Sequence, residues 1–156
     1  MPDSELRQQR TLSRNRNVDV LHSSGFRRIG PSSLFSNRDD CVILSPGIGE
    51  GEHGAHLFDI RVANLEKMSD PLRGALLLRL APDWFAFVKL DQLTPVLTES
   101  TRTYGPRSGE LYRFRCELDE SGGAVTIVST KDSSASLSVK LLDRDGAVRV
   151  LTAMCR

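Results

Sequence analysis

The residue types that catalysis and ligand binding need are concentrated in residues 45–61, SPGIGEGEHGAHLFDIR. Four glycines give this stretch backbone freedom. Loops that concentrate ionisable groups in this way tend to be functional. This stretch is the first candidate site because it contains acids, bases and metal-ligating residue types. These residues are Glu50, Glu52, His53, His56, Asp59 and Arg61.

Two simple ligand chemistries fit this stretch poorly. It contains neither GxGxxG nor GxxxxGK[ST], and a strand is predicted after it, so no helix N-terminus is available for a phosphate. The HxxHxxD spacing of His53, His56 and Asp59 would bring the three side chains onto one face of a helix. On a strand, however, residues three apart point to opposite faces. The sequence therefore predicts no structural zinc site here.

A pair of carboxylates is an alternative basis for catalysis. Asp40 precedes the apolar run 41–44, and Asp59-Ile60-Arg61 lies in the next predicted strand. This placement resembles the PD-(D/E)xK nucleases over about residues 35–90, in which carboxylates hold Mg²⁺ for the attack of water on a phosphodiester. The resemblance implies Mg²⁺ bound by Asp40 and Asp59.

In this nuclease interpretation Arg61 holds a phosphate, His56 is a candidate base, and Glu52 and Glu5 are further candidate carboxylates. The chain departs from the pattern at Arg61, where the family has Lys. Arg stays protonated and is a poor substitute for an amine that activates water. The alternative for Asp59 and Arg61 is that each pairs across strands at the sheet surface, which stabilises by at most about 1 kcal/mol.

Arginine dominates the cations, with 17 Arg against 4 Lys. Its planar guanidinium group binds phosphates and guanine edges through two hydrogen bonds at once. The codon bias of a GC-rich genome would also enrich arginine. The arginines cluster within residues 1–30 and 101–115. The second cluster interleaves Arg with aromatic residues around a Gly-Pro turn, as a phosphate-binding loop would. The candidates for nucleic-acid binding in the two clusters are Arg10, Arg14, Arg16, Arg102, Tyr104, Arg107, Tyr112 and Arg113.

Trp84 begins an aromatic segment, WFAF. Together with Tyr104 and Tyr112 it could form a wall on which a base stacks, with Asp83 or Asp59 accepting a hydrogen bond from the base edge. For Trp84 itself, packing in the core is the favoured alternative. His53 and Arg61 complete the predicted nucleic-acid contacts.

The elements that must position these residues follow from hydrophobic periodicity. A helix is predicted over 4–24, ending near Gly25, and residues 29–40 are predicted to be a loop. A short helical turn stopped by Pro95 is predicted over 91–97. Strands are predicted at 41–44, 56–62, 75–80, 84–90, 111–118, 124–130, 137–142 and 147–152.

This pattern predicts an α+β, mostly β fold: a curved antiparallel sheet or small barrel-like domain with an N-terminal helix. We expect one domain over 1–156, in which the helical segment 1–30 packs on a β-domain at 41–153. Within the β-domain, HLFDIRV places Phe58 and Ile60 on an apolar face and Asp59 and Arg61 on the opposite one.

Composition excludes several classes of protein. The chain has 156 residues, 39% hydrophobic and 26% charged, with a net charge of +1, which is ordinary for a globular protein. No apolar run approaches the roughly 18 residues of a membrane span, so no membrane partner is expected. Three widely spaced cysteines, Cys41, Cys116 and Cys155, predict reduced thiols in a cytoplasmic protein.

The leading functional hypothesis is a DNA-binding β-domain without a cofactor. Segments 7–16 and 102–115 would contact phosphates, while residues 47–61 or the Trp84 region would read a base sequence or modification. By analogy of architecture, such a module belongs to a restriction or defence system and acts with a nuclease domain or subunit outside this chain. The alternatives are the Mg²⁺-dependent nuclease and a protein-interaction β-domain.

Overall fold

Two β-sheets pack face to face, and helices cover the outer side of one of them. The structure is a computed structural model. It describes residues 18–29, 34–37, 41–46, 48–50, 56–67, 74–81, 83–98, 101–103, 109–119 and 121–154. The predicted fold class, α+β with mostly strands and an N-terminal helix, is confirmed. The two sheets do not close into a barrel.

The first sheet has five strands, in the spatial order β1 (Arg27–Arg28), β2 (Leu34–Ser36), β3 (Val42–Leu44), β6 (Gly74–Ala81) and β7 (Trp84–Lys89). The second has six: β11 (Ser136–Lys140), β10 (Ala124–Ser129), β9 (Gly109–Asp119), β5 (His56–Arg61) and β4 (Ile48–Glu50), with β8 (Thr101–Thr103) also paired to β9. The pairing of β3 with β6 is parallel. The other pairs in these sheets are antiparallel.

Helices connect and cover these strands. Residues 18–23 are helical and are called α1. It is followed by α2 (Val62–Lys67), by α3 (Leu90–Leu93), which continues as a 3₁₀ helix (Thr94–Thr98), and by α4 (Arg144–Ala153). The predicted end of the N-terminal helix near Gly25 agrees with the positive φ of 90° at that glycine. The predicted helical residues 4–17 lie outside the described part of the chain.

The core lies in two layers, one on each side of β6. Between the sheets, leucines of β6 pack against inward side chains of the six-stranded sheet, including Phe58, Phe114 and Ile127. On the other side of β6, Ala75 and Leu77 pack against side chains of α1 and α4. The predicted alternation in 56–61 is confirmed, because Phe58 and Ile60 are buried whereas Asp59 is exposed.

The strand predicted at 147–152 is wrong, because these residues belong to α4. The carboxylate of Asp143 accepts a hydrogen bond from the backbone N–H of Gly146 at 2.7 Å, so a helix begins at residues 143–146. Ala147 and Leu151, four residues apart, are the buried side chains of this helix.

Three smaller differences concern short elements. The loop predicted over 29–40 contains β2, and α2 was not predicted. Pro95 does not stop the helical turn, since it lies at the second position of the 3₁₀ helix, where its missing N–H is tolerated.

Of the described helices, none is long and apolar enough to cross a membrane.

The cysteines also differ from expectation. Cys41 is disulfide-bonded, so the prediction of three reduced thiols is wrong at this residue. Cys116 is a buried free thiol, and burial raises its pKa, which makes it unreactive. Cys155 lies outside the described residues. Sequence spacing could not show the pairing, because it depends on which cysteines the fold brings together.

Adjacent residues of β10 test these face assignments. Ile127 is fully buried between the sheets, whereas Thr126 is partly exposed and lies on the opposite face. We expect Ile127→Ala to lower the free energy of unfolding by about 2–5 kcal/mol and Thr126→Ala by less than about 1 kcal/mol. Urea denaturation of both variants measures this difference. Equal losses would mean that β10 is not oriented as described.

Candidate functional site

Seven of the predicted catalytic and nucleic-acid contacts lie on described strands: Trp84 in the five-stranded sheet, and His56, Asp59, Arg61, Arg102, Tyr112 and Arg113 in the six-stranded one. We call the side of the six-stranded sheet that is turned away from β6 the outer face. In β5 the outer face receives Leu57, Asp59 and Arg61, and in β9 it receives the odd-numbered residues 111–119. The register places Asp59 opposite Arg113 and Arg61 opposite Leu111. Three predicted residues, Asp59, Arg61 and Arg113, therefore share this face.

Asp59 and Arg113 form a two-point ion pair across β5 and β9. Nε of Arg113 donates to Oδ1 of Asp59 at 2.8 Å, and Nη2 donates to Oδ2 at 3.4 Å. This hydrogen bond and the charge of Asp59 raise the pKa of Arg113. Because both side chains are about half exposed, water screens the pair, and its contribution to stability is small. The carboxylate thus holds the guanidinium in a defined position.

A second ion pair lies next to the first along β9. Nε of Arg115 donates to Oε1 of Glu117 at 3.1 Å, and the two residues share the outer face because they are two positions apart. A guanidinium has five N–H donors, so a bond at Nε leaves its Nη groups as further donors. The outer face therefore carries arginines that are each held by a neighbouring carboxylate.

His56 and Tyr112 lie on the inward face of the same strands. His56 is half-buried and stands opposite Cys116. Burial and the positive charge of Arg79 both lower its pKa, so it is neutral at pH 7. Tyr112 donates a hydrogen bond to Oε2 of Glu110 at 2.9 Å, and this bond, with burial, raises the pKa of the phenol.

The predicted stacking wall draws on residues of both sheets. Trp84 begins β7 in the five-stranded sheet, whereas Tyr112 belongs to the other sheet and packs against the core between them. The wall itself stays a prediction. Trp84 is nevertheless 38% exposed, so core packing accounts for only part of this side chain. Tyr104, the third member of the wall, lies outside the described residues.

The carboxylates of the nuclease hypothesis are not brought together within the described part of the chain. Asp59 is occupied by Arg113, and no group of three or more described His, Cys, Asp or Glu residues is placed to hold a metal ion. Asp40 and Glu52 lie outside the described residues, as does Glu5. The two-carboxylate arrangement therefore stays a prediction.

Other predicted contacts fall only partly within the described chain. Arg102 lies in β8 and pairs in register with Glu110 of β9, so the second arginine cluster is joined to the strand that carries Arg113. Segment 104–108 connects these two strands. The remaining predicted residues, outside the described part of the chain, are Arg10, Arg14, Arg16, His53, Tyr104 and Arg107.

Two residues of the site were missed in the sequence. Glu117 could have been found, because strand alternation over 111–118 places it on the same face as Arg113 and Arg115. Arg79 interrupts the apolar run ALLLRL, and it is 7% exposed in β6. Arginine is rarely buried unless it is paired, so its position inside a predicted buried strand could have marked it for attention.

The chain matches no protein-family model, and no curated protein or solved structure shows similarity to it. The functional argument therefore depends on the geometry of the outer face.

A double-mutant cycle on Asp59→Ala and Arg113→Ala tests the first ion pair. We expect a coupling free energy of about 0.2–1 kcal/mol, because the pair is half exposed and spans two neighbouring strands. Urea denaturation of the two single variants and the double variant gives this value. A coupling that vanishes within error at low salt would contradict the pairing.

The lowered pKa of His56 predicts a pH-dependent stability. The unfolded chain takes up a proton near pH 6.5, at a higher pH than the folded protein does, so the free energy of unfolding falls as the pH falls below 6.5. We expect His56→Gln to flatten the curve between pH 7.5 and 5. Urea denaturation of both proteins over this range is the measurement. Parallel curves would contradict the burial of His56.

Proposed function

We propose that this protein binds nucleic acid, in the first place DNA, through the outer face of its six-stranded sheet. The observation that carries the proposal is the presentation of Arg113 and Arg115 by their carboxylate partners Asp59 and Glu117. The guanidinium is the side chain best suited to phosphate, because its planar fork matches two phosphate oxygens.

The spacing of these arginines suits a chain of phosphates. Residues two apart on a strand are roughly 7 Å apart, so Arg113 and Arg115 present successive cations in one line. Arg61 lies on the neighbouring strand β5, two residues beyond Asp59 and opposite Leu111 of β9. Arg102 lies in β8, which pairs with β9. The described arginines of the second cluster thus lie on β9 or on the strand paired with it.

The carboxylates limit how strongly this face attracts phosphate. Asp59 and Glu117 balance the charges of Arg113 and Arg115, and the whole chain has a net charge of only +1. Long-range attraction is therefore weak, and binding depends on direct contacts. We expect dissociation constants of about 1–100 μM for duplex DNA of arbitrary sequence at physiological salt.

Base reading is the finer part of the proposal. Segments 51–55 and 104–108 connect β4 to β5 and β8 to β9, so both join strands of the proposed binding sheet. They contain His53, Tyr104 and Arg107, whose side chains can contact a base edge or stack on it. By analogy with other small β-domains, such a reader serves a nuclease domain or subunit of a restriction or defence system.

Fluorescence anisotropy of labelled duplex DNA over a salt series, in EDTA, tests the proposal. We expect log K to fall linearly with log salt, and Arg113→Ala/Arg115→Ala to reduce that slope by about 2, since two phosphate contacts are lost. Arg149→Ala is the control, because this exposed arginine lies on α4, away from the outer face. Loss of binding in the control alone would place the interface elsewhere.

Asp59→Asn separates binding from cleavage. In a binding protein this change removes a negative charge beside the phosphates, so affinity at low salt should rise by about two- to fivefold. If the protein is a Mg²⁺-dependent nuclease, the wild-type protein should cut plasmid DNA when Mg²⁺ is added. The Asp59→Asn variant should then not cut it. A protein that neither binds nor cuts DNA at low salt would be a protein-interaction domain instead.

A further inference from the structure

We infer that the outer face binds double-stranded nucleic acid in preference to a single strand, because β5 and β9 fix arginines on this face and turn their aromatic rings inward. The inference rests on the proposed function and names the form of nucleic acid that the outer face binds. Three features carry it: the orientation of the aromatic rings, the fixed positions of the arginines and the width of the sheet.

The phenyl and phenol rings of the six-stranded sheet are used in the core. In the described strands of this sheet they are Phe58, Tyr112 and Phe114. Phe58 and Phe114 are buried, and their rings stack with centroids 5.5 Å apart. Tyr112 packs against the same cluster and donates a hydrogen bond to Glu110. Proteins that bind single strands without sequence preference stack successive bases on aromatic rings. The rings of these strands are turned away from a ligand on the outer face.

The outward positions of β9 carry charged side chains instead. Between residues 113 and 119 they are Arg113, Arg115, Glu117 and Asp119. The two arginines are each held by a carboxylate, at 2.8 Å and 3.1 Å from Nε. A guanidinium held in this way binds phosphate oxygens through direct hydrogen bonds, and every nucleotide has a phosphate whatever its base. The outer face therefore binds the backbone of the nucleic acid.

A fixed set of cations favours a backbone that is itself rigid. Duplex DNA has a persistence length of about 150 base pairs, so its phosphates already lie in a fixed row over the few positions that this face can contact. A single strand has to be ordered to place its phosphates at the same positions, and this ordering opposes binding. Stacking of bases on aromatic rings would compensate for that cost, but the rings of β5 and β9 face the core.

The width of the sheet determines how a duplex lies on it. Neighbouring strands are about 4.8 Å apart, so β5, β9 and β10 together are wider than the two-stranded ribbon that fits into the major groove. The outer face therefore lies across a groove and contacts the phosphates at its rims. This arrangement requires two backbones held at a fixed separation, which a duplex provides and a single strand does not.

Release of counterions adds to the preference. Each phosphate contact lowers log K by about 0.9 per tenfold increase in salt for duplex DNA, and by about 0.7 for a single strand. For two contacts, at Arg113 and Arg115, this difference favours the duplex by about threefold at 50 mM salt relative to 1 M. Because the single strand must also be ordered, we expect the duplex to bind about five- to twentyfold more tightly at 50 mM salt.

Fluorescence anisotropy with a labelled DNA duplex of mixed sequence and with each of its separated strands tests the preference. The strands are chosen without internal complementarity, and the buffer contains EDTA and about 50 mM salt. With the wild-type protein we expect the stated difference in Kd. Arg113→Ala/Arg115→Ala should weaken binding of the duplex and reduce the difference to less than about twofold. The control Arg149→Ala, at an exposed arginine of α4, should keep it.

The outcomes distinguish this inference from the proposed function. If the wild-type protein binds the single strands as tightly as the duplex, or more tightly, the duplex preference is overturned while nucleic-acid binding stands. A preference that persists unchanged in Arg113→Ala/Arg115→Ala would place its cause on another surface and would equally overturn the inference. If the wild-type protein binds neither form, the proposed function is wrong and the inference falls with it.

Discussion

The fold depends on the burial of β6 on both of its faces. Seven of its eight positions are buried, so this strand needs a packing layer on each side. The six-stranded sheet covers Leu76, Leu78 and Leu80, and the helices cover Ala75 and Leu77. Each buried leucine contributes about 1.5–3 kcal/mol relative to exposure, so neither layer can be removed without a large loss. Two sheets and a helical layer are the arrangement that satisfies this strand.

The chemistry of the outer face is a consequence of that core. Because β5, β9 and β10 must turn every second residue toward β6, the intervening residues are forced outward. Polar side chains there are expected in any such sheet and do not by themselves indicate a function. The specific feature is the register, which places Asp59 opposite Arg113 and holds the guanidinium at two points. A shift of one residue in this pairing would turn Phe114 outward.

Much of this arrangement could be predicted, because it is local. Alternation over 56–62 predicted which residues share a face, and it correctly placed Asp59 with Arg61. The partner of Asp59 could not be predicted, since cross-strand register is set by residues more than fifty positions apart. In 147–152 the apolar residues fit both a period of two and a spacing of four, and the cap at Asp143 decided in favour of the helix. The disulfide of Cys41 depends on tertiary contacts in the same way.

The layer order separates the outer face from the helices that cover the five-stranded sheet. The outer face and the α4 layer lie on opposite sides of the protein, with both sheets and the core between them. Arg113 bonds across to β5, whereas Arg144 bonds to α1 on the other side. Cys41 belongs to the cluster on the helix side, away from the pairing of β5 with β9. The presentation of arginines on the outer face should therefore be insensitive to the redox state of Cys41, and reduced and oxidised protein should bind nucleic acid alike as long as the sheets remain folded.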